Sequence, residues 1–378
     1  MGLSQWLITS LEIGNSLAIG ESKMKKLITV CLVCVCLLSA NLFATTAYQI
    51  IDLGGVNSTA YSVNNSGQVV GQSNGTACLF DSTGGGSNTD LGSLGGGWST
   101  AESINNSGQI VGVDNYLIRA CLFITPSTNK DLGTLPGDSF SAAYSINNNG
   151  QYSLPVGSSS DGSGNTRACY FNSAFGGGVM GLGTLTGGSN SEAKSINDSG
   201  QIVGWAVDSS YNTRACLFGF GNNTDLGTIG GNGSSASSNN NSGQIVGQAQ
   251  NSSSDYHACL FDSTNPLNNT DLGTLGGTYS VALSINESSQ IVGSATDSDG
   301  LMHACLFDSG GNINLESYLP TGSGWVLNYA SSINDSGWIT GTGYLNGQER
   351  AFLIEPVPEP TTICLLGIGA LSLIRRKK

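Results

Sequence analysis

The chain has 378 residues, 55 of them Gly and only 10% charged, a balance typical of turn-rich exported β proteins and unlike that of a helical cytosolic enzyme. Its formal net charge is −13, and the stretch between the two terminal segments described below carries 6 cations against 23 acids, or −17. Such a field repels phosphate backbones and argues against nucleic acid as a partner. It attracts divalent cations, so calcium is a weak candidate ligand, although a solvated acidic surface is the commoner explanation.

Residues 1–23 fit neither a signal peptide nor a strand pattern, and are expected to be an upstream mis-start or disordered. Met24 opens a secretory pattern: Lys25-Lys26, the apolar run Leu27–Leu38, then small residues at Ser39, Ala40, Ala44 and Ala47. The signal peptide is therefore placed at 24–47, with translation starting at Met24 and cleavage after Ala44 or Ala47. Cys31, Cys34 and Cys36 lie inside this run, so their spacing says nothing about redox or metal chemistry.

From residue 48 the sequence repeats, and a period of this size decides the fold. The Asn closing an Ala-x-Ser-(Ile/Val)-Asn element falls at Asn64, Asn105, Asn147, Asn197, Asn240, Asn286 and Asn334. The steps are 41, 42, 50, 43, 46 and 48, a mean of 45. An Asn-x-Ser-Gly turn and Gln-Ile-Val-Gly follow, then Ala-Cys-Leu-Phe, then Asp-Leu-Gly-Thr-(Leu/Ile)-Gly-Gly. Asn at the first turn position and Gly at the fourth make a hairpin signal with a mechanism, and the other two elements read as third and fourth strands. Four strands per unit, seven times over, predict an all-β, seven-bladed β-propeller over 48–356; an open β array or a solenoid is the alternative. The chain enters with a fourth-type strand (Gln49–Leu53) and leaves with the first three (Ala330–Ile354), so the opening strand is expected to complete the last blade and close the ring.

Six cysteines, Cys78, Cys121, Cys169, Cys216, Cys259 and Cys305, hold one repeat position that Phe352 takes in the last copy. They read as buried small apolar residues, not as disulfides or metal ligands. Copy three carries an insertion (Tyr152-Ser153-Leu154-Pro155), copy five has Asn239 for the usual Ile, and copy six has Ser289 for the turn Gly. Copy seven departs most, with Trp325, Tyr329 and Trp338. Aromatic side chains on loops stack on sugar rings, so Trp325 and Trp338 are the candidate ligand contacts, with packing as the alternative.

The tail at 357–378 holds Pro358, Glu359 and Pro360, an apolar run Thr361–Ile374, and the basic end Arg375-Arg376-Lys377-Lys378. At 14 residues the run is a short membrane helix whose basic end suits the cytoplasmic side. This tail resembles the PEP-CTERM sorting signal of Gram-negative bacteria. The resemblance implies an inner-membrane intermediate, recognition and cleavage by an exosortase, and release to the cell surface or an exopolysaccharide matrix. The repeats resemble the HAF family of extracellular repeats: His303-Ala304-Cys305 and His257-Ala258-Cys259 correspond to its name-giving triplet, Arg350-Ala351-Phe352 keeps the Phe, and Arg119, Arg167 and Arg214 replace the His. That family is defined by pattern and imports no catalytic activity.

No motif for catalysis stands out. The two histidines occupy one repeat position and are better explained by repetition than by base catalysis or metal ligation. There is no phosphate-binding loop, no His-Glu-x-x-His, and no Cys-x-x-Cys in the repeats. Asp297-Ser-Asp299-Gly300 resembles only a fragment of a calcium loop. The acids sit mostly at repeated strand ends (Asp52, Asp90, Asp131, Asp225 and Asp271), which suits turn formation; a catalytic pair would be unique to one or two blades. The sequence therefore points to a non-enzymatic exported module that binds or organises extracellular material, polysaccharide or a surface partner. The alternatives are a secreted glycan-active propeller enzyme, with unique acids at one mouth of the channel, and a purely structural matrix protein.

Overall fold

The computed structural model describes residues 47–357 except 116, 151–152, 173–177 and 220. The segments at 1–46 and 358–378, including the expected signal peptide and membrane helix, lie outside the described residues. Among the described residues, no helix is long and apolar enough to cross a membrane.

Seven four-stranded antiparallel sheets make the propeller. Blade one runs Ser58–Val63, Val69–Ser73, Thr76–Phe80 and Thr89–Gly92. Blade seven takes three strands from the end of the repeats, Trp325–Ile333, Ile339–Leu345 and Gln348–Val357, and its fourth from the start, Ala47–Asp52. The opening strand thus closes the ring, as its residue pattern requires.

Apolar layers lie between consecutive blades. In one of them, Val70, Ala77 and Leu91 of blade one pack on Ala101, Ile104, Ile110, Cys121 and Phe123 of blade two. The period of two along Ala-Cys-Leu-Phe explains the arrangement: Cys and Phe face the preceding blade, while Ala faces the following one. Cys78, Cys121, Cys169, Cys216, Cys259 and Cys305 are free and buried. Burial pushes the Cys78 thiol up to about 12, so it serves as a small neutral packing group.

Polar side chains tie the blades together at the turn that follows each first strand. The Nδ2 of Asn64 donates to the carbonyl of Asn105, Asn105 to Asn147, and so on through Asn197, Asn240, Asn286 and Asn334. Asn334 then donates to the carbonyl of Asn64, so seven bonds of 2.9–3.2 Å form a closed ring. A second ring lies one residue further along. The amide N–H of Asn65 donates to Asn106 Oδ1, and the sequence continues through Asn148, Asp198, Asn241, Glu287 and Asp335 back to Asn65, at 2.7–3.0 Å. Away from the axis, Ser99 Oγ donates to Gly92 O at 2.6 Å and accepts from Ala77 N at 2.9 Å, clamping blade two to blade one. Ser141, Ser191, Ser234, Ser280 and Ser58 repeat the clamp. Blade seven has Asn328 in this place, and its Oδ1 is buried without a partner.

Each first strand carries a β-bulge between the Ala and the Ser of Ala-x-Ser, at Ala60/Ser62, Ala101/Ser103, Ala143/Ser145, Ala193/Ser195, Ala236/Ser238, Ala282/Ser284 and Ala330/Ser332. The Gly ending Gln-Ile-Val-Gly lies against it. A Cβ on Gly204 would sit 2.0 Å from the Glu192 carbonyl oxygen, and Gly71, Gly112, Gly157, Gly247, Gly293 and Gly341 meet the same obstacle at 1.9–2.0 Å. This Gly is a requirement of the bulge.

The ring makes a quantitative prediction. Asn197→Ala removes Nδ2 bonds to Asn240 O (2.9 Å) and Gln201 Oε1 (2.8 Å) and strips the Gln201 amide of its Oδ1 acceptor (2.9 Å). Asn197 is only 4% exposed, so the loss should approach 3 kcal/mol, about 1–3 kcal/mol for each buried group left unpaired. Asn65→Ala, in the exposed second ring, should cost less than about 1 kcal/mol. Urea unfolding of residues 47–357 measures both, and equal losses would contradict the account.

Candidate binding site in the central channel

The residue that each bulge leaves out of the ladder is the x of Ala-x-Ser: Tyr61, Glu102, Tyr144, Lys194, Ser237, Leu283 and Ser331. All seven line a single cavity of about 530 Å³ on the axis, with Thr59, Ser235, Tyr329, Thr342 and Glu349 completing the wall. Bulges re-aim side chains, and here they aim one residue per blade at the channel. The volume lies within the range of small-molecule sites, roughly 300–1,000 Å³. The repeat otherwise keeps nearly fixed residue types, but this position holds Tyr, Glu, Tyr, Lys, Ser, Leu and Ser. A sevenfold scaffold thereby carries a site without sevenfold chemistry.

The charged residues of the wall lie on blades two, four and seven, as Glu102, Lys194 and Glu349. Glu192 forms an ion pair with Lys194 and accepts from Tyr144 Oη (3.3 Å), Ser158 Oγ (3.4 Å) and Trp205 Nε1 (3.4 Å). The Lys194 ammonium also lies 4.1 Å from the Tyr144 ring centroid. Both of its neighbours therefore hold it in place. Glu349 Oε1 receives one long bond from Thr59 Oγ1, at 3.5 Å. Glu102 makes no hydrogen bond or ion pair among the described residues. Burial pushes its carboxyl up to about 7; Lys194 pulls the other way and Glu192 adds to the rise. Burial, with Glu102 and then Glu349 nearby, pushes the Tyr61 hydroxyl up to about 12. Tyr144 is raised as well, by burial first and Glu192 second.

The aromatic residues singled out in the sequence lie elsewhere. Trp325 is 9% exposed and packs edge-on against Phe352 at 6.1 Å, within the core between blades six and seven. Trp338 is half-buried against the blade-one core, beneath the Gly67 turn, where it replaces the Gln of the other copies and donates its main-chain N–H to Asn334 Oδ1 at 2.9 Å. Neither lines the cavity. Pro358, Glu359, Pro360, Arg375 and Arg376 lie outside the described residues. In blades four, five and seven the repeated Arg or His of the third strand pairs with the Asp of the fourth: Arg214 Nε with Asp225 at 2.9 Å, His257 Nδ1 with Asp271 at 2.9 Å, Arg350 with Asp52 at 3.7 Å; Arg167 of blade three pairs instead with Asp138. His303 instead sits between Asp297 (3.0 Å) and Glu316 (3.3 Å). Asp297 Oδ1 also accepts the N–H groups of Asp299 and Leu301, so it folds its own turn. No cluster of His, Cys, Asp and Glu suited to a metal ion occurs among the described residues.

Residues 356–378 match the PEP-CTERM protein-sorting motif. That motif marks an exported chain that exosortase sorts to the cell surface of a Gram-negative bacterium. No curated protein is significantly similar in sequence. Among solved structures, TolB from Acinetobacter baumannii is similar at 14% identity and TM-score 0.44, over 82% of this chain and 65% of that one. A streptogramin B lyase follows at 10% identity and TM-score 0.40, over 82% of this chain and 99% of that one. A Trypanosoma rangeli sialidase in complex with the inhibitor DANA gives 9% and 0.40, over 84% and 60%. Likenesses this distant carry no argument about function, and the chain spans less than two thirds of TolB and of the sialidase.

Glu102 is unpaired and desolvated, so it should cost the fold stability wherever it is ionised. Its folded-state pKa is raised, so the native state binds the proton more tightly than the unfolded chain. This contribution to stability is therefore lost as pH rises from about 4.5 through about 7. Glu102→Gln should raise stability by about 2–3 kcal/mol at pH 8 and leave it nearly unchanged at pH 4.5. Thermal melts at both pH values test this; a variant less stable at pH 8 would mean Glu102 has a partner holding its charge.

Proposed function

We propose that this protein is an exported, exosortase-sorted propeller of the HAF-repeat type that binds a segment of extracellular polysaccharide in its central channel, without chemistry. The single observation behind this reading is the division of labour within the repeat. Nearly every repeated residue is committed to the scaffold, with Asn in the axial ring, Ser in the clamps, Gly beneath the bulge, and Arg or His paired with Asp. The one position free of such duties faces the cavity in all seven blades. Hydroxyl-bearing side chains dominate that wall, and three tyrosines, Tyr61, Tyr144 and Tyr329, offer rings for sugar faces. The sorting motif supports this reading, since it directs the chain to the cell surface.

Titration calorimetry of residues 47–357 with the producer's own exopolysaccharide, with and without calcium, tests this reading. The expected result is saturable heat, unchanged polymer length, and at least tenfold weaker binding by Tyr61→Ala/Tyr144→Ala. No heat in either condition would contradict a polysaccharide-binding role and leave a structural one. Shortened polymer would make the protein a glycan-active enzyme, with Glu102 and Glu349 as the first carboxyl groups to replace.

A further inference from the structure

Among the described residues, Glu102 and Glu349 are the two carboxylates of the channel wall without an ion-pair partner, and the Glu102 carboxylate alone accepts no hydrogen bond. Lys194, on the inner strand of blade four, is bound by Glu192 and rests on the Tyr144 ring, so it has no free charge to offer an anion. The carboxylate of Glu349, held only by the long bond from Thr59, adds a second negative group near Tyr61. The groups facing Glu102 are thus Tyr61 from blade one, Tyr144 from blade three, and Lys194 with Glu192 from blade four. They sum to no net charge, so Glu102 is left over, as is Glu349 on blade seven. The far wall, from blades five and six, holds Ser235, Ser237 and Leu283 and carries no charge.

An ionised carboxylate taken out of water and left unpaired is costly, and such a cost persists where a ligand relieves it. A neutral ligand could donate hydrogen bonds to the half-buried Glu102 but would leave its charge unbalanced. An anion would meet Glu102 and Glu349 with Lys194 already committed. A cation restores the balance, and the tyrosine rings on either side are surfaces on which a cation rests favourably. A bare divalent ion would find no cluster of three or more metal-ligating side chains among the described residues, whereas an organic ammonium needs only one carboxylate, flanking acceptors and room for the body that bears it.

We infer that the channel recognises a ligand carrying a protonated amine, a sugar with a free amino group, with Glu102 as the partner of the ammonium and the uncharged wall of blades five and six taking the ring. This rests on the binding role proposed above and names the chemistry that the site selects. The raised carboxyl is consistent with it: the arriving ammonium would draw Glu102 to its ionised form, so binding should take up little amine at pH 5 and strengthen toward neutrality.

The probes are a glucosamine tetramer, the same tetramer fully N-acetylated, and a tetramer of glucuronate, each titrated at pH 6.5 into residues 47–357. That unit contains every blade complete. The glucosamine tetramer should bind at least tenfold more tightly than its acetylated form and the glucuronate not measurably. Glu102→Gln should reduce the preference for the free amine to within about twofold, while a melt shows that the variant remains folded. Equal binding of the free and acetylated tetramers, or a preference untouched by Glu102→Gln, would overturn the assignment. If the producer's polysaccharide binds but no glucosamine tetramer does, the amine assignment falls and the binding role stands. If nothing binds, both fall.

Discussion

The structure depends on a closed circle of seven asparagine side chains. Each donates its amide hydrogen to the next asparagine's main-chain carbonyl, and the last reaches the first across 270 residues of sequence. Asparagine is the residue that can do this. Its Oδ1 accepts the N–H four residues on and fixes the hairpin, as in Asn64 with Gln68, while its Nδ2 reaches the neighbouring blade. Aspartate would supply the first bond and set a negative charge against a carbonyl in place of the second; glutamine would be one methylene too long for its own turn. Because these groups are buried, an opened link strands polar atoms on both sides of it, and the ring couples the hairpin geometry of every blade to the closure of the whole.

With the inner ends of the blades held this way, the bulge one turn away is relieved of any structural duty except to bend. The Gly opposite it provides the space, and the side chain it expels meets only the channel. The scaffold therefore tolerates a tyrosine, a glutamate, a lysine or a serine there without changing the ladder. Glu102 shows where that tolerance has been used against stability: a carboxyl without a partner sits where a serine would cost nothing. Groups that weaken a fold and face a cavity mark the sites that proteins keep for ligands.

Much of the architecture was legible because it is local and repeated. The Asn-x-Ser-Gly turn, the alternating strands either side of it and the order of the terminal strands suffice for seven blades and their closure. The cysteines were legible too, since a position that accepts Phe352 in the last copy has to be apolar. The bulge was not. Read as an alternating strand, Ala-x-Ser-Ile-Asn gives no reason for x to face the axis, and only the fold shows that one extra residue sits there. A signal existed, for x is the position that varies inside an otherwise fixed element. Aromatic character led instead to Trp325 and Trp338, but size and hydrophobicity recommend a tryptophan to a core as strongly as to a ligand, and here both pack inward. The pairing of Arg214 with Asp225 or His257 with Asp271 spans 11 and 14 residues and becomes visible only when the third and fourth strands lie side by side. The serine clamps are hidden in the same way, since a serine two places before an alanine looks like any other polar strand residue.

The central claim is that fold and site occupy separate positions of one repeat. It is tested most directly by replacing Tyr61, Glu102, Tyr144, Lys194 and Leu283 together with serine, the residue that blades five and seven already carry there, and recording equilibrium unfolding in urea. A single cooperative transition of wild-type steepness, shifted by no more than about 3 kcal/mol, is the result the account predicts. A lost or broadened transition would show that the channel residues help to hold the blades together, and would contradict the separation on which the proposed site rests.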